Sequence, residues 1–294
     1  MYANLDDAIS EIFGHDARIQ NRQAVHGGDI NEAYHIVLSS GKDAFLKCNA
    51  QVGEDFFAAE AAGLAALKQA GANTPIVLAH GGLETGGAFL LLQYEHSASP
   101  KAGYWEHLGC MLANVHRAST AAFAPNGNYG FASDNYIGQT KQANTPSGKW
   151  IDFFRAARLG AQMDWAAHYF DASDKRRCAY LLDHLEEYLL EPGFPSLLHG
   201  DLWSGNVMAG SDGNPMLIDP AVYVGHYEAD LAMTELFGRF PPAFYGAYHE
   251  TIPAAPGYAD RRDLYNLYHL LNHLNLFGAS YLSPVRRILK RYAA

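Results

Sequence analysis

Two acidic residues and one amide, at fixed spacing near the middle of the second half of the chain, constrain this sequence most. They are Asp201, Asn206 and Asp219, and the first two belong to the segment His-Gly-Asp-Leu-Trp-Ser-Gly-Asn at 199–206. Two short apolar runs flank Gly-Ser-Asp-Gly-Asn at 210–214, which predicts a β-hairpin that brings Asp219 back beside Asn206. A carboxylate can accept the proton of a hydroxyl, and carboxylate and amide oxygens suit Mg²⁺. The pattern therefore predicts a proton acceptor, Asp201, and two metal ligands, Asn206 and Asp219.

The spacing H-x-D-x-x-x-x-N is typical of the catalytic loop of kinase-fold phosphotransferases. In such a loop the aspartate orients the accepting hydroxyl, while the asparagine and a later aspartate hold Mg²⁺ on the nucleotide phosphates. The alternative is a solvated surface loop rich in turn-forming residues. That alternative leaves Trp203 and the second carboxylate, Asp219, unexplained.

Three features upstream fit the nucleotide side of such a site. Lys47 lies among apolar residues in a predicted strand over 44–48 and suits the lysine that pairs with nucleotide phosphates, although a strand-edge lysine facing solvent is an alternative. Gly27 and Gly28 form a turn whose backbone N–H groups can approach phosphate oxygens, or they form an ordinary hairpin turn. Glu60, on an apolar helix predicted over 56–70, is a candidate partner for Lys47 or an ordinary solvated charge.

A change in composition after residue 93 predicts the boundary between two lobes. Short predicted strands end at Gln93-Tyr94-Glu95, and the chain then turns to serine, proline and glycine before helical periodicity begins. We expect an N-terminal nucleotide-binding lobe at 1–93 and a C-terminal catalytic and substrate-binding lobe at 94–294. In the second lobe the sequence predicts a helix over 150–169 and a polar, loop-like insert that contains Asn135, Gln142 and Asn144. A connecting strand offers backbone donors and acceptors to an adenine edge in a cleft between lobes, so Gln93, Tyr94 and Glu95 are predicted adenine contacts.

Charge and cysteine content exclude several classes of protein. The 294 residues carry a formal net charge of −10, which disfavours nucleic acid and anionic membranes as partners. Three widely spaced cysteines argue against a disulfide framework and favour a reducing compartment. The first residues lack the features of a signal peptide, and no apolar run approaches the roughly 20 residues that span a bilayer. We therefore expect a cytoplasmic protein.

Longer segments carry a resemblance to a known family. They are Phe45-Leu46-Lys47, and the runs at 57–64, 134–138, 197–206, 218–233 and 267–273. Over nearly the whole length the chain resembles the fructosamine kinase (ketosamine-3-kinase) family, which is similar to the aminoglycoside phosphotransferases and, more remotely, to the protein kinases. The resemblance implies an α+β, two-lobed protein-kinase-like fold, with a small antiparallel-sheet N-lobe that includes a helix and a larger, mainly helical C-lobe. It also implies ATP-dependent phosphorylation of the C3 hydroxyl of a ketosamine, after which the adduct decomposes and the amine is deglycated.

Under this hypothesis each candidate residue has a role. The roles are catalysis by Asp201; ATP binding by Gly27, Gly28, Lys47, Glu60, Gln93, Tyr94 and Glu95; Mg²⁺ binding by Asn206 and Asp219; and sugar binding by Trp203, Tyr223, Glu228 and His269. Core packing is an equal alternative for those last four residues. Asp230 is expected to brace the catalytic loop rather than to touch substrate. Pro220 follows the metal-binding aspartate where protein kinases have Phe, so regulation through a long activation loop is not expected.

Other functions stay open at this point. The acceptor could be an aminoglycoside or another amino sugar, because an acidic chain suits any cationic amine. The chain could also be a catalytically inactive kinase fold that binds nucleotide and acts through a partner, or a non-catalytic binding module. The predicted partner is a small-molecule ketosamine or a glycated amine or protein, with neither nucleic acid nor membrane, and the predicted state is a monomer.

Overall fold

The computed structural model describes residues 2–25, 30–124 and 128–293. The chain divides into two compact units, Met1–Tyr104 together with Val207–Pro220, and Trp105–Asn206 together with Ala221–Ala294. The predicted α+β class is confirmed, because an antiparallel sheet in the first unit is accompanied by a mainly helical second unit. The lobe boundary predicted at residue 93 stays a prediction.

The secondary structure follows the chain in a simple order. The strands are β1 (Ile19–Ala24), β2 (Glu32–Leu38), β3 (Asp43–Asn49), β4 (Val77–Gly82), β5 (Ala88–Gln93), β6 (Asn135–Ile137), β7 (Thr140–Gln142), β8 (Ser196–Leu198), β9 (Val207–Ala209), β10 (Pro215–Leu217) and β11 (Tyr223–Gly225). The helices are α1 (Leu5–Phe13), α2 (Glu54–Gln69), α3 (Tyr104–Arg117), α4 (Trp150–Phe153), α5 (Ala161–Trp165), α6 (Ala172–Asp183), α7 (Leu185–Tyr188), α8 (Glu228–Met233), α9 (Pro242–Thr251), α10 (Tyr258–Phe277) and α11 (Leu282–Tyr292).

The first unit is built on a five-stranded antiparallel sheet of order β1-β2-β3-β5-β4. Leu46 on β3 packs with Ile36, Phe89 and Leu91 in a core that α1 covers with Ile9. Successive side chains on a strand point to opposite faces of the sheet, so Lys47 points away from the face that carries Leu46. The predicted hairpin is also present here, since β9 and β10 pair in antiparallel register.

The second unit is organised around α10, which packs against α5, α8 and α11. The segment 150–169, predicted as one helix, is helical throughout but changes type. A π-helix (Phe154–Gly160) separates α4 from α5, and a 3₁₀ turn (Ala166–Tyr169) ends it. π-Helical turns inside α-helices are uncommon and recur at functional sites.

Two elements differ from the sequence-based expectation. The polar insert near Asn135, expected as a loop, pairs β6 with β7 in antiparallel register. Helix α9 was not predicted, because its aromatic residues follow two prolines and show little helical periodicity. Within the described ranges, no helix combines the length and the apolar character needed to cross a membrane.

Candidate active site

Lys47 is the centre of a charged cluster in the first unit. From β3 its Nζ atom donates hydrogen bonds to Glu60 Oε1 at 2.6 Å and to Asp219 Oδ1 at 2.5 Å. Lys47 is 7% exposed. Burial by itself lowers the pKa of Lys47, but the charges of Asp219 and Glu60 outweigh burial, and the pKa is raised. The lysine is therefore charged at neutral pH, as a phosphate-binding lysine must be.

Glu60 reaches this cluster from the middle of α2, where its neighbours are apolar. Its side chain is 13% exposed. Burial raises the pKa of the Glu60 carboxyl, the charge of Asp219 adds to this effect, and the charge of Lys47 opposes it. The pair predicted between Lys47 and Glu60 is thus formed in the structure, and the alternative of a solvated helix charge does not apply.

Asp219 stands directly after the hairpin with an unusual backbone. Its φ is +55°, and no other non-glycine residue in the described part of the chain has a positive φ. Such a conformation costs roughly 1–3 kcal/mol and persists where the surrounding structure imposes it. Asn73 supplies that constraint, because its carbonyl accepts from Leu217 N–H and its side-chain amide donates to Pro215 O. Half of the Asp219 side chain remains exposed, which leaves the carboxylate accessible to a ligand.

In the second unit, Asp230 fixes the backbone of the catalytic loop. Its buried carboxylate accepts the backbone N–H groups of His199 at 2.7 Å and Gly200 at 2.9 Å. The same carboxylate lies 3.1 Å from His116 Nε2, and His116 Nδ1 lies 2.7 Å from the Tyr248 hydroxyl. Burial raises the pKa of Asp230. The hydrogen bond and charge of His116, the charge of His199 and the backbone donor Gly200 together lower the pKa by more than burial raises it, so the net shift is downward. Asp230 is therefore an ionised brace for the loop.

Gly200 is required at its position for two reasons. Its φ is +83°, a left-handed conformation that side chains rarely adopt. A Cβ atom there would come within 2.0 Å of the Ala221 carbonyl oxygen. The loop before Asp201 therefore passes directly against the backbone at Ala221.

Asp201 and Asn206 are joined within this loop. Asn206 Nδ2 donates to the backbone oxygen of Asp201 at 2.8 Å and to its Oδ2 atom at 3.2 Å. His269 Nδ1 lies 4.0 Å from Asp201 Oδ1. Burial lowers the pKa of His269 to about 3, with additional contributions from His273 and Arg158, so the ring is neutral at physiological pH. The side chain of Asp201 stays partly exposed, as a group that meets a substrate hydroxyl requires.

Comparison with known proteins decides the family. The sequence model of the family described as fructosamine kinase matches residues 1–294. The chain belongs to the fructosamine kinase family. It is 40% identical over 285 residues to a probable ketoamine kinase of Synechocystis sp., covering 96% of this chain and 94% of that protein. It is 37% identical to a chloroplastic protein-ribulosamine 3-kinase of Oryza sativa subsp. indica, covering 95% and 80%.

Solved structures agree on the fold. A candidate fructosamine-3-kinase from Haemophilus somnus matches with a TM-score of 0.87 and 28% identity, covering 99% of this chain and 97% of that one. A thermostable mutant of an aminoglycoside phosphotransferase matches with a TM-score of 0.65 and 17% identity, covering 99% and 100%. The second likeness supports the kinase-like fold alone. Membership of the fructosamine kinase family identifies the chain as an ATP-dependent phosphotransferase that acts on a hydroxyl group.

The predicted Mg²⁺ ligands offer the chemistry that this ion prefers. Asp219 presents a half-exposed carboxylate, and Asn206 uses its amide nitrogen to bond Asp201, which orients its amide oxygen as the remaining acceptor. Among the residues that the structure describes, no group of three or more His, Cys, Asp or Glu side chains is arranged to hold a metal ion. The assignment of Asn206 and Asp219 to the metal stays a prediction that this donor chemistry supports.

The predicted adenine contacts lie at the end of β5. Gln93 is exposed, and its backbone N–H donates to Ile76 O at 2.8 Å. The ring of Tyr94 stacks on His35 with 3.7 Å between ring centroids. Glu95 is partly buried. The adenine contacts assigned to these three residues stay a prediction. Gly27 and Gly28 lie outside the described residues, and their role stays a prediction.

The four candidate sugar contacts fall into two kinds of environment. Trp203 is 36% exposed, two residues after Asp201, and suits stacking on a sugar. His269 is buried, but its Nδ1 atom lies 4.0 Å from Asp201 Oδ1. Tyr223 is instead buried against the Trp150 ring and the Arg158 guanidinium. Glu228 is buried in a two-point ion pair with Arg261, at 2.6 and 2.8 Å. The geometry favours core packing, one of the two alternatives, for Tyr223 and Glu228.

Two supporting residues could not be identified from the sequence alone. His116 and Arg261 lie 114 and 33 residues from Asp230 and Glu228, their respective partners. Both occur in helices where a histidine or an arginine is unremarkable. Asn135, Gln142 and Asn144 did give a signal, because three amides cluster in a short stretch, but the stretch was interpreted as a loop-like insert.

Proposed function

We propose that this chain phosphorylates the C3 hydroxyl of a ketosamine with ATP and Mg²⁺. The observation that carries the proposal is the geometry of the loop around Asp201. The backbone just before Asp201 donates to the Asp230 carboxylate, and the amide of Asn206 donates to Asp201 itself. The family match over residues 1–294 supports the reaction class, and relatives named ketoamine kinase and protein-ribulosamine 3-kinase support the substrate class.

In the proposed reaction, the substrate hydroxyl oxygen bonds to the γ-phosphorus, and the bond from that phosphorus to the departing ADP oxygen breaks. The hydroxyl proton passes to the carboxylate of Asp201, which also orients the oxygen for attack. Lys47 neutralises phosphate charge, and Glu60 keeps its ammonium group in place. When bound, Mg²⁺ neutralises charge that develops on the phosphate oxygens. Most of the rate enhancement comes from positioning and electrostatic stabilisation.

The substrate side is proposed from charge and exposure. A ketosamine carries a sugar and a protonatable amine, which suits a chain of net charge −10 and the exposed ring of Trp203. A free small-molecule adduct and a glycated protein both satisfy these requirements. Cys48, Cys110 and Cys178 are free thiols, which agrees with a reducing compartment such as the cytoplasm.

The test is a phosphorylation screen of the wild-type protein with ATP and Mg²⁺. The acceptors are fructosyl-, ribulosyl- and erythrulosyl-amines, with an aminoglycoside as the comparison. We expect phosphate transfer to at least one ketosamine, located at C3 by NMR, at a kcat/KM at least tenfold above that for the aminoglycoside. A preference for the aminoglycoside would move the assignment to an aminoglycoside phosphotransferase. ATP binding without turnover on any acceptor would contradict an enzymatic role.

A further inference from the structure

Three buried amides in the second unit have no part in the proposed reaction. Asn135, Gln142 and Asn144 are 5%, 2% and 1% exposed. Gln142 Nε2 and Asn144 Nδ2 both donate to Asn135 Oδ1, at 2.8 and 2.9 Å. Burying an amide destabilises a protein unless its hydrogen bonds are satisfied. A buried network whose hydrogen bonds are satisfied makes the surrounding structure rigid.

The donors of this network hold two successive backbone carbonyls. Asn135 Nδ2 donates to Val222 O at 2.7 Å, and Gln142 Nε2 donates to Ala221 O at 3.1 Å. One donor comes from β6 and the other from β7, so the β6–β7 hairpin holds the backbone from two neighbouring positions. We call Asn135 and Gln142 the amide clamp.

The clamped backbone is also the backbone that meets the catalytic loop. Ala221 N–H donates to His199 O at 2.9 Å, and the Ala221 carbonyl is the atom that a side chain at Gly200 would strike. Ala221 is two residues after Asp219 in the sequence. Any shift of the Ala221 peptide therefore acts on the loop before Asp201 and on the chain that leaves Asp219.

Tyr268 and Arg158 restrain the amide clamp through hydrogen bonds to Gln142 and to Asn144. The Tyr268 hydroxyl donates to Gln142 Oε1 at 2.6 Å, which commits the Gln142 nitrogen to its two acceptors. The fully buried Arg158 guanidinium, in the π-helical turn, donates to Asn144 Oδ1 at 2.7 Å. The hairpin is thereby tied to α10 and to the π-helix, so the clamp is rigid.

We propose that Gln142, together with Asn135, is a positioning residue for phosphoryl transfer. Its amide nitrogen holds the Ala221 carbonyl and so sets the backbone against which the His199–Asp201 loop is placed. Positioning errors of this kind raise the barrier of the chemical step more than they weaken substrate binding. The inference rests on the proposed function only in that turnover on a ketosamine is the assay.

Two variants of nearly unchanged volume test the role of the Gln142 donor. Gln142→Glu keeps an acceptor for Tyr268 but turns a carboxylate toward the Ala221 and Asn135 oxygens. Gln142→Met is neutral and donates nothing. We expect both to lower kcat at least tenfold, with the KM for ATP and for fructosyl-lysine within threefold of wild type. Hydrogen–deuterium exchange should show faster exchange of the Ala221 amide in both.

Lys141→Met is the matched control, since it changes an exposed position of the same strand while leaving both clamp residues and Tyr268 in place. It should keep kcat within threefold. Wild-type turnover in the same assay tests the proposed function separately, whereas the ratio of variant to wild type tests the clamp. Unchanged kcat in Gln142→Met, a rise in KM without a fall in kcat, or unchanged exchange at Ala221 would overturn the inference. Failure of both variants to fold would also overturn it, because the network would then serve stability alone.

Discussion

Around Lys47 the charged side chains hold one another, whereas the catalytic loop is held through its backbone. Lys47, Glu60 and Asp219 form direct ion pairs within the first unit. In the second unit, the Asp230 carboxylate accepts the backbone N–H groups of His199 and Gly200, the two residues that precede Asp201. A phosphate-binding lysine can be shared between carboxylates, whereas the Asp201 carboxylate accepts a hydrogen bond from the neutral amide of Asn206. Under the proposed roles, we expect substitutions near Lys47 to affect nucleotide binding and substitutions in the loop to affect the chemical step.

Gly200→Ala is the change with the largest expected effect, because it displaces the backbone that positions the loop before Asp201. The new Cβ requires a left-handed alanine and collides with Ala221 O. We expect turnover to fall at least about 1000-fold and the free energy of unfolding to fall by about 3 kcal/mol or more. Kinetics and urea unfolding measure both quantities. Gly193→Ala, where an added Cβ meets nothing within 4 Å, should match wild type.

Lys47→Met should separate the two regions most clearly. The substitution removes the charge that both carboxylates share, so the KM for ATP should rise at least tenfold while the KM for the acceptor changes less than threefold. Steady-state kinetics with each substrate varied give the two constants. Lys42→Met, at an exposed position of the same unit, should leave both constants unchanged. An unchanged KM for ATP in Lys47→Met would remove Lys47 from the phosphates.

Stability in acid should report on the backbone brace. The folded pKa of Asp230 is lowered, so its contribution to stability is complete above the unfolded aspartate pKa of about 4 and is lost as pH falls through the folded pKa. Asp230→Asn should therefore flatten the decline in unfolding free energy between about pH 4 and pH 2. Urea titrations at a series of pH values measure this slope. Asp183→Asn, at an exposed position, is the control, and equal slopes for the two variants would refute the prediction.

Glu60→Gln has the smallest expected effect. Glutamine can still accept the Lys47 hydrogen bond, so only the charge is lost, and we expect the KM for ATP to rise about three- to tenfold with kcat nearly unchanged. The same kinetics measure it. A fall in kcat larger than the rise in KM would show that Glu60 acts on the chemical step and would blur the division between the two regions. Glu84→Gln, at an exposed turn, should have no effect.

Local pattern predicted the hairpin because its turn residues and flanking apolar runs are encoded within a few positions. It left two alternatives for Glu60, and only the structure shows that Glu60 pairs with Lys47. Local pattern did not reveal the partners of Asp230 and Glu228, because His116 and Arg261 approach them only once the chain has folded. The polar insert was expected as a loop since its residues are typical of turns. Its amides are in fact buried, and their hydrogen bonds to Ala221 and Val222 depend on tertiary contacts.

Asp201→Asn tests most directly whether the Lys47 cluster serves nucleotide binding and the loop serves the chemical step. Titration calorimetry with Mg²⁺ and a non-hydrolysable ATP analogue gives the nucleotide affinity, and single-turnover kinetics on fructosyl-lysine give the chemical step. We expect the affinity to stay within threefold of wild type and the chemical step to slow by at least about 100-fold. A chemical step within tenfold of wild type would show that Asp201 does not accept the hydroxyl proton.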